Sequence, residues 1–272
     1  MDISDYIKGV CEKAQQAAET LAIATTEEKN EALTRISASI QSNARKILAA
    51  NEKDLDGAAR HKLDPAMIDR LTLTQKTIEV MAEGIQEIVT LDDPVGTISP
   101  LQRRPSGITV AQMRVPIGII GIIYESRPNV TADAASLCLK SGNVVILRGG
   151  SESFYSNQAI EKCIIEGLSK TGIPSTAVQL IATTNRTAVG ELLTRKEEVD
   201  LIIPRGGKSL ITRVSKESRI PVLKHLDGIC HVYIDKEADH SKAIAIAENA
   251  KTQRYGTCNT IETLIVHSDC AP

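Results

Sequence analysis

Apolar residues recur at helical spacing through residues 4–57, among them Ile36, Ile40, Ile47 and Leu48. That period predicts amphipathic helix, and Gly57 closes the run. A second helical region, DPAMIDRLTLTQKTIEVMAEGIQEIVTL, opens at Asp64-Pro65, where proline is tolerated in a first turn. After DDPVG the pattern changes. TISPLQRRPSGITVAQMRVPIGIIGIIYE holds two extended runs around Pro105-Ser106-Gly107, which predicts a protruding hairpin over about residues 98–116. From Ile117 the apolar runs IGIIGIIY, NVVILR, AVQLIA and VDLIIP alternate with helical segments 130–141, 153–171 and 186–195. Strands joined by helical crossovers run parallel. Runs that are apolar throughout predict a sheet buried on both faces. The fold class is therefore α/β, an open parallel sheet with flanking helices.

Ligands of such sheets bind beyond the carboxyl ends of the strands. Those ends read YESRPN, LRGGSES, IATTNR and IPRGGKS, rich in Gly, Ser, Arg and Asn. Gly206 and Gly207 precede a predicted helix starting near Lys208, so free backbone N–H groups there suit a phosphate. RGGKS resembles the end of a P-loop, but that motif needs glycine at position 202, where Ile202 stands. Nucleoside triphosphate hydrolysis is excluded on that ground. No G-x-G-x-x-G follows a strand, so a dinucleotide site here is not of the common Rossmann type. Further along, RYGTCNT sets Cys258 among small polar residues, between the helical run DHSKAIAIAENAKTQ and the strand-like ETLIVH. The residues alone leave two readings: an incidental turn cysteine, or a presented thiol.

Composition narrows the classes. The chain has 272 residues, 42% of them hydrophobic, enough for one large core or two domains. A net charge of −2, from 32 basic and 34 acidic residues, steers it toward neither nucleic acid nor an anionic membrane. One Phe, five Tyr and no Trp leave little to stack on single-stranded nucleic acid. The longest near-apolar run, VPIGIIGIIY, is too short to span a bilayer. MDISDYIKGVCEKAQ lacks the basic start and apolar middle of a signal peptide. Six cysteines with no C-x-x-C pair suggest free thiols in a reducing cytoplasm, with neither disulfides nor a metal site. Of these, Cys11, Cys138, Cys163 and Cys230 lie in apolar or helical patterns.

Three stretches together carry a resemblance: VPIGIIGIIYESRPNVTADAASLCLKSGNVVILRGGSES, IPRGGKSLI and NAKTQRYGTCNTIETLIVH. The chain resembles the aldehyde dehydrogenase superfamily and, within it, the γ-glutamyl phosphate reductase family of proline biosynthesis. The resemblance makes Cys258 the catalytic nucleophile. It implies reduction of L-glutamyl 5-phosphate by NADPH to L-glutamate 5-semialdehyde, NADP and phosphate. A thiolate would displace phosphate from the acyl carbon, and hydride would reduce the resulting thioester. The family's oxyanion asparagine corresponds to Asn129. Where relatives that hydrolyse the thioester carry a glutamate in E-L-G-G-K, this chain has KHLDGIC with His225. A reductase has no need to activate water. Where the superfamily's K-P-S-E holds the adenosine ribose, RGGS places Arg148 and Ser151. A guanidinium gained and a carboxylate lost favour a 2′-phosphate, hence NADP(H); Gly206 and Gly207 complete the expected cofactor contacts.

The resemblance further implies a cofactor domain over residues 1–254, whose hairpin joins subunits of a homo-oligomer. Residues 255–272 would begin an α/β catalytic domain, its remainder lying beyond Pro272. Glutamate 5-kinase, which supplies the labile acyl phosphate, is an expected partner. Two rival readings are an aldehyde-oxidising dehydrogenase, which the missing glutamate at His225 disfavours, and an inactive cofactor-binding fragment.

Overall fold

The structure, a computed structural model, describes residues 2–225, 228–255 and 257–271. It divides into two compact units, Met1–Lys224 and His225–Pro272.

The first unit opens with five helices: α1 (Ile3–Leu21), α2 (Thr26–Ser42), α3 (Ala44–Arg60), α4 (Pro65–Leu71) and α5 (Gln75–Thr90). The helical stretch expected over 4–57 is thus three helices. Thr25 supplies the first break through a reciprocal cap. Its hydroxyl accepts from the Glu28 backbone N–H at 3.2 Å, and the Glu28 carboxylate accepts from the Thr25 N–H at 2.8 Å. Such a cap satisfies helix-end donors that would otherwise be orphaned. Asn43 makes the second break, with φ −101° and ψ 13°. Thr74 separates α4 from α5 in the same way, its hydroxyl accepting from the Thr77 N–H.

The hairpin forms as expected. Strands β1 (Gln102–Arg103) and β2 (Thr109–Val110) pair antiparallel. A bridge between Ile98 and Met113 extends the ladder, and Gly107 turns it at φ +90°.

The parallel sheet then follows: β3 (Ile119–Tyr124), α6 (Asn129–Lys140), β4 (Val144–Arg148), α7 (Phe154–Leu168), β5 (Val178–Leu180), α8 (Thr187–Thr194), β6 (Leu201–Arg205) and α9 (Lys208–Glu217). Strand order is β5-β4-β3-β6, every neighbour parallel. Both central strands, β3 and β4, are buried at every residue, as their unbroken apolar runs predict. At the edge, β6 alternates between buried and half-buried positions. Gly167 lets α7 lie close on α2, since a Cβ there would meet the Ile36 Cα and backbone N at 2.8 Å. The order also defines the binding crevice. β4 and β5 lie on one side of β3 and β6 on the other, so the topological switch point falls between the carboxyl ends of β3 and β6.

The second unit holds β7 (Cys230–Ile234), α10 (His240–Thr252) and β8 (Ile261–Val266), with the strands parallel. Asp239 caps α10 by accepting from the Lys242 N–H at 3.0 Å. No residue of α10 is buried, and Ile244 and Ile246 lie open. Among the described residues, no helix is long and apolar enough to cross a membrane.

Candidate active and cofactor sites

The loops after the strands are held by polar groups inside the first unit. Tyr124, the last residue of β3, is fully buried, and burial pushes its phenol well above the usual range. It shares a hydrogen bond of 2.7 Å with the Thr131 hydroxyl. Thr131 donates in turn to Asn157 Oδ1 at 3.1 Å, and Asn157 Nδ2 donates to Ser153 Oγ at 2.9 Å. This chain ties the end of β3 to α6, α7 and the LRGGSES loop. A second tie links the same loops. Glu152 Oε1 accepts from both the N–H and the hydroxyl of Ser126, at 2.6 and 2.9 Å. Ser126 sits at φ +45°, a left-handed conformation that a non-glycine residue holds only where its surroundings fix it.

Arg148 ends β4 and is 8% exposed. Its guanidinium donates to the carbonyls of Gly149 and Thr184, while Nε has no partner. Burial lowers its pKa; Glu152 opposes that, and the positive charges of Arg186 and Arg213 add to it. Beside it, Gly149, Gly150, Ser151, Leu180, Thr183 and Thr184 line a small crevice between the ends of β4 and β5. Ser151 is exposed at its rim. Ser151 thus lies on this crevice, whereas Arg148, whose guanidinium is turned to the Gly149 and Thr184 carbonyls, is not among its lining residues.

Gly206 and Gly207 lie exposed at the start of α9, as expected. The Gly207 N–H is already used: it donates to Glu125 Oε2 at 2.8 Å. A carboxylate therefore stands at the helix N-terminus, at the switch point, where the helix dipole favours negative charge. Asn129 begins α6, half-buried, and its amide donates to Asp133 Oδ2 at 2.9 Å. Its side chain is engaged within its own helix. Glu125, Ser126 and Glu152 lie inside the quoted motifs, yet nothing in their spacing pairs them with distant loops.

In the second unit, Cys258 is exposed in the turn between α10 and β8. Two threonines knit that turn: the hydroxyls of Thr257 and Thr260 both donate to the Arg254 carbonyl at 2.8 Å. Lys251 Nζ donates to the Ile261 carbonyl at 2.9 Å. Cys230 opens β7, and its thiol donates to the Cys258 carbonyl at 3.4 Å. His225 is exposed. Leu226 and Asp227 of KHLDGIC, and Gly256 of RYGTCNT, lie outside the described residues. Burial separates Cys258 from three other cysteines. Desolvation pushes the thiols of Cys11, Cys138 and Cys163 up to about 11, about 12 and about 11. A thiol so protonated is a poor nucleophile. Among the described residues, no cluster of His, Cys, Asp and Glu could hold a metal ion.

A parallel sheet with glycine- and arginine-rich loops at its carboxyl edge, followed by an exposed cysteine between a helix and a strand, defines a dehydrogenase-type α/β protein. The chain belongs to the aldehyde dehydrogenase family, whose model matches residues 4–272. It is similar to the solved γ-glutamyl phosphate reductase of Thermotoga maritima, at 42% identity and a TM-score of 0.88, over 96% of this chain and 63% of that one. The γ-glutamyl phosphate reductase of Saccharomyces cerevisiae is 35% identical, with a TM-score of 0.75, over 97% of this chain and 66% of that one. The chain thus spans less than two thirds of either reductase. A glyceraldehyde-3-phosphate dehydrogenase from Methanocaldococcus jannaschii, complexed with NADP, shares the fold at 18% identity and a TM-score of 0.70, over 98% of this chain and 56% of that one.

Proposed function

We propose that this chain carries the cofactor site and the nucleophile of an NADPH-dependent reductase that converts L-glutamyl 5-phosphate to L-glutamate 5-semialdehyde and phosphate. The observation that carries the reading is the exposure of Cys258 in its threonine-knit turn, the residue that the family resemblance makes the nucleophile. An acyl phosphate is already activated. Attack by the Cys258 sulfur on the acyl carbon forms a thioester, and the C–O bond to phosphate breaks. NADPH, when bound, would supply the hydride that takes the thioester to the aldehyde level. Collapse then returns the Cys258 thiol. With His225 in place of a carboxylate base, the chain presents no glutamate there to activate water against the intermediate. Asn129 is assigned to the developing oxyanion, which requires its amide to leave Asp133.

The buried Arg148 with its unpaired Nε, and the positive field of Arg186 and Arg213 on it, fit an anionic group. That supports NADP(H), with the 2′-phosphate near Arg148 and Ser151 and the pyrophosphate at Gly206 and Gly207, which requires the Glu125 carboxylate to leave the Gly207 N–H. In this reading residues 1–254 serve the cofactor and residues 255–272 begin the catalytic domain. That functional division falls after the boundary between compact units at 224 and 225. On this reading the protein works in the cytoplasm as a homo-oligomer, with glutamate 5-kinase, which makes the labile substrate, as its partner.

Cys258→Ala in the full-length protein tests the proposal. Reduction should fall by roughly 10³-fold or more, while NADPH, titrated by its fluorescence, binds as before. Turnover close to wild type would remove Cys258 from the mechanism.

A further inference from the structure

We infer that Cys230 is a resolving thiol for Cys258: after a hydroperoxide oxidises Cys258, Cys230 captures it as a reversible disulfide. The inference rests on the reading of Cys258 as the reactive nucleophile.

Two independent features bring the pair together. The first is strand register. β7 begins at Cys230, which pairs with Ile261, the first residue of β8. Cys258 lies three residues before that pair, in the turn feeding the strand. The second is direct contact. The Cys230 sulfur lies 3.4 Å from the carbonyl oxygen of Cys258. Gly228 closes the same approach from two residues earlier, since a Cβ there would stand 3.2 Å from that oxygen. The first sulfur thus already touches the backbone of the residue bearing the second. A disulfide further requires the Cys258 side chain to turn toward Cys230, with the two Cα atoms roughly 4.4–6.8 Å apart.

The other cysteines are poor competitors. Cys11, Cys138 and Cys163 are buried. Cys270 is half-buried like Cys230, but its sulfur donates to the Asp235 carbonyl, just past the end of β7. The length of β7, roughly 15 Å, separates it from Cys230.

The chemistry balances. The Cys258 thiolate attacks one peroxide oxygen; an S–O bond forms, the O–O bond breaks, and hydroxide leaves. Sulfur is oxidised by two electrons and the peroxide is reduced. The Cys230 sulfur then attacks the sulfenic sulfur. An S–S bond forms, the S–O bond breaks, and the departing hydroxide takes the Cys230 proton to become water. Capture at this stage stops Cys258 from climbing to sulfinic acid, which is not readily reversed. A dithiol restores both groups by exchange.

The test uses the reduced full-length protein and hydrogen peroxide in modest excess, followed by alkylation and peptide mapping without reduction. A Cys230–Cys258 linked peptide should be the main oxidised species, and dithiothreitol should restore reductase activity. In Cys230→Ser the linked peptide should vanish, Cys258 should appear as sulfinic and sulfonic acid, and dithiothreitol should no longer restore activity. Cys270→Ser should behave as wild type. Absence of the linked peptide, linkage of Cys258 to another cysteine, or equal recovery in Cys230→Ser overturns the inference. Turnover surviving in Cys258→Ala would instead strike the nucleophile reading, because the peptide map does not depend on catalysis.

Discussion

Arg148 shows how one side chain can be costly to the fold and useful to a ligand. Its charge is buried against a falling pKa, its Nε is unpaired, and the positive charges of Arg186 and Arg213 repel it. A bound phosphate would relieve all three conditions. NADPH should therefore be preferred over NADH, and Ser151→Glu, three residues further along the same loop, should shift the preference by roughly ten-fold toward NADH through repulsion of the 2′-phosphate. The ratio of kcat/KM for the two cofactors is the measurement. An unmodified protein that uses NADH equally well rules out this ribose assignment. The sequence made Cys258, Arg148 and the Gly206-Gly207 loop visible because turns and glycines are local signals. It could not show that Glu125 covers the Gly207 N–H, that Glu152 pins Ser126, or that Cys230 touches Cys258. Each pairing is made by strand order or register, over separations of 26 to 82 residues, and no spacing rule reaches that far.

Between elements, a buried and a half-buried carboxylate respond to acid in opposite senses. Asp54 of α3 holds the start of α7. One oxygen accepts from the Tyr155 N–H at 3.1 Å, the other from the Ser156 N–H at 2.8 Å and the Ser156 hydroxyl at 2.6 Å. Burial raises its pKa despite those donors. Its folded pKa lies above the unfolded one, so the stabilisation linked to its protonation is present at low pH and lost as pH rises through the folded pKa, while its three accepted hydrogen bonds persist. Asp93 is the converse. Burial pushes it up, but Lys29 Nζ, at 2.5 Å, and hydrogen bonds from Thr26 and Val95 hold it below the ordinary value. That contribution is present above the unfolded pKa and lost as pH falls. Asp54→Ala should cost about 2–3 kcal/mol at neutral pH, because it strands two N–H groups and a hydroxyl; denaturant unfolding reads this directly. Asp93→Asn should lower Tm at pH 7 and flatten the loss of Tm below about pH 4. An acid limb identical to wild type would mean that Lys29 and Asp93 do not couple to folding. The elements themselves were largely legible. The four sheet strands and the helices between them follow the apolar runs, while the breaks at Thr25 and Asn43 hid inside a continuing helical period. The Thr25 break had a signal, a threonine followed three residues later by Glu28.

For the molecule as a whole, the hairpin raises the question of assembly. Ile98, Leu101, Ile108 and Met113 are 65%, 73%, 60% and 60% exposed, and the paired strands β1 and β2 are only two residues each. A two-stranded ribbon of that size is marginal alone in water, and its free edge and apolar side chains invite another chain. The alternation of strands and helices made the parallel sheet readable from sequence. The partner of the hairpin was not, because its surface belongs to no local pattern. In the oligomer proposed above, this hairpin lies in the interface. Sedimentation of the full-length protein at micromolar concentration should show a dimer or larger species. Deletion of residues 99–112 should shift it toward monomer while leaving the sheet's fold intact by circular dichroism, since β3 to β6 draw no strand pairing from the hairpin. A monomer before deletion, or an unchanged oligomer after it, would take the hairpin out of the interface and leave its exposed leucine and isoleucines to be covered by something other than a second copy of this chain.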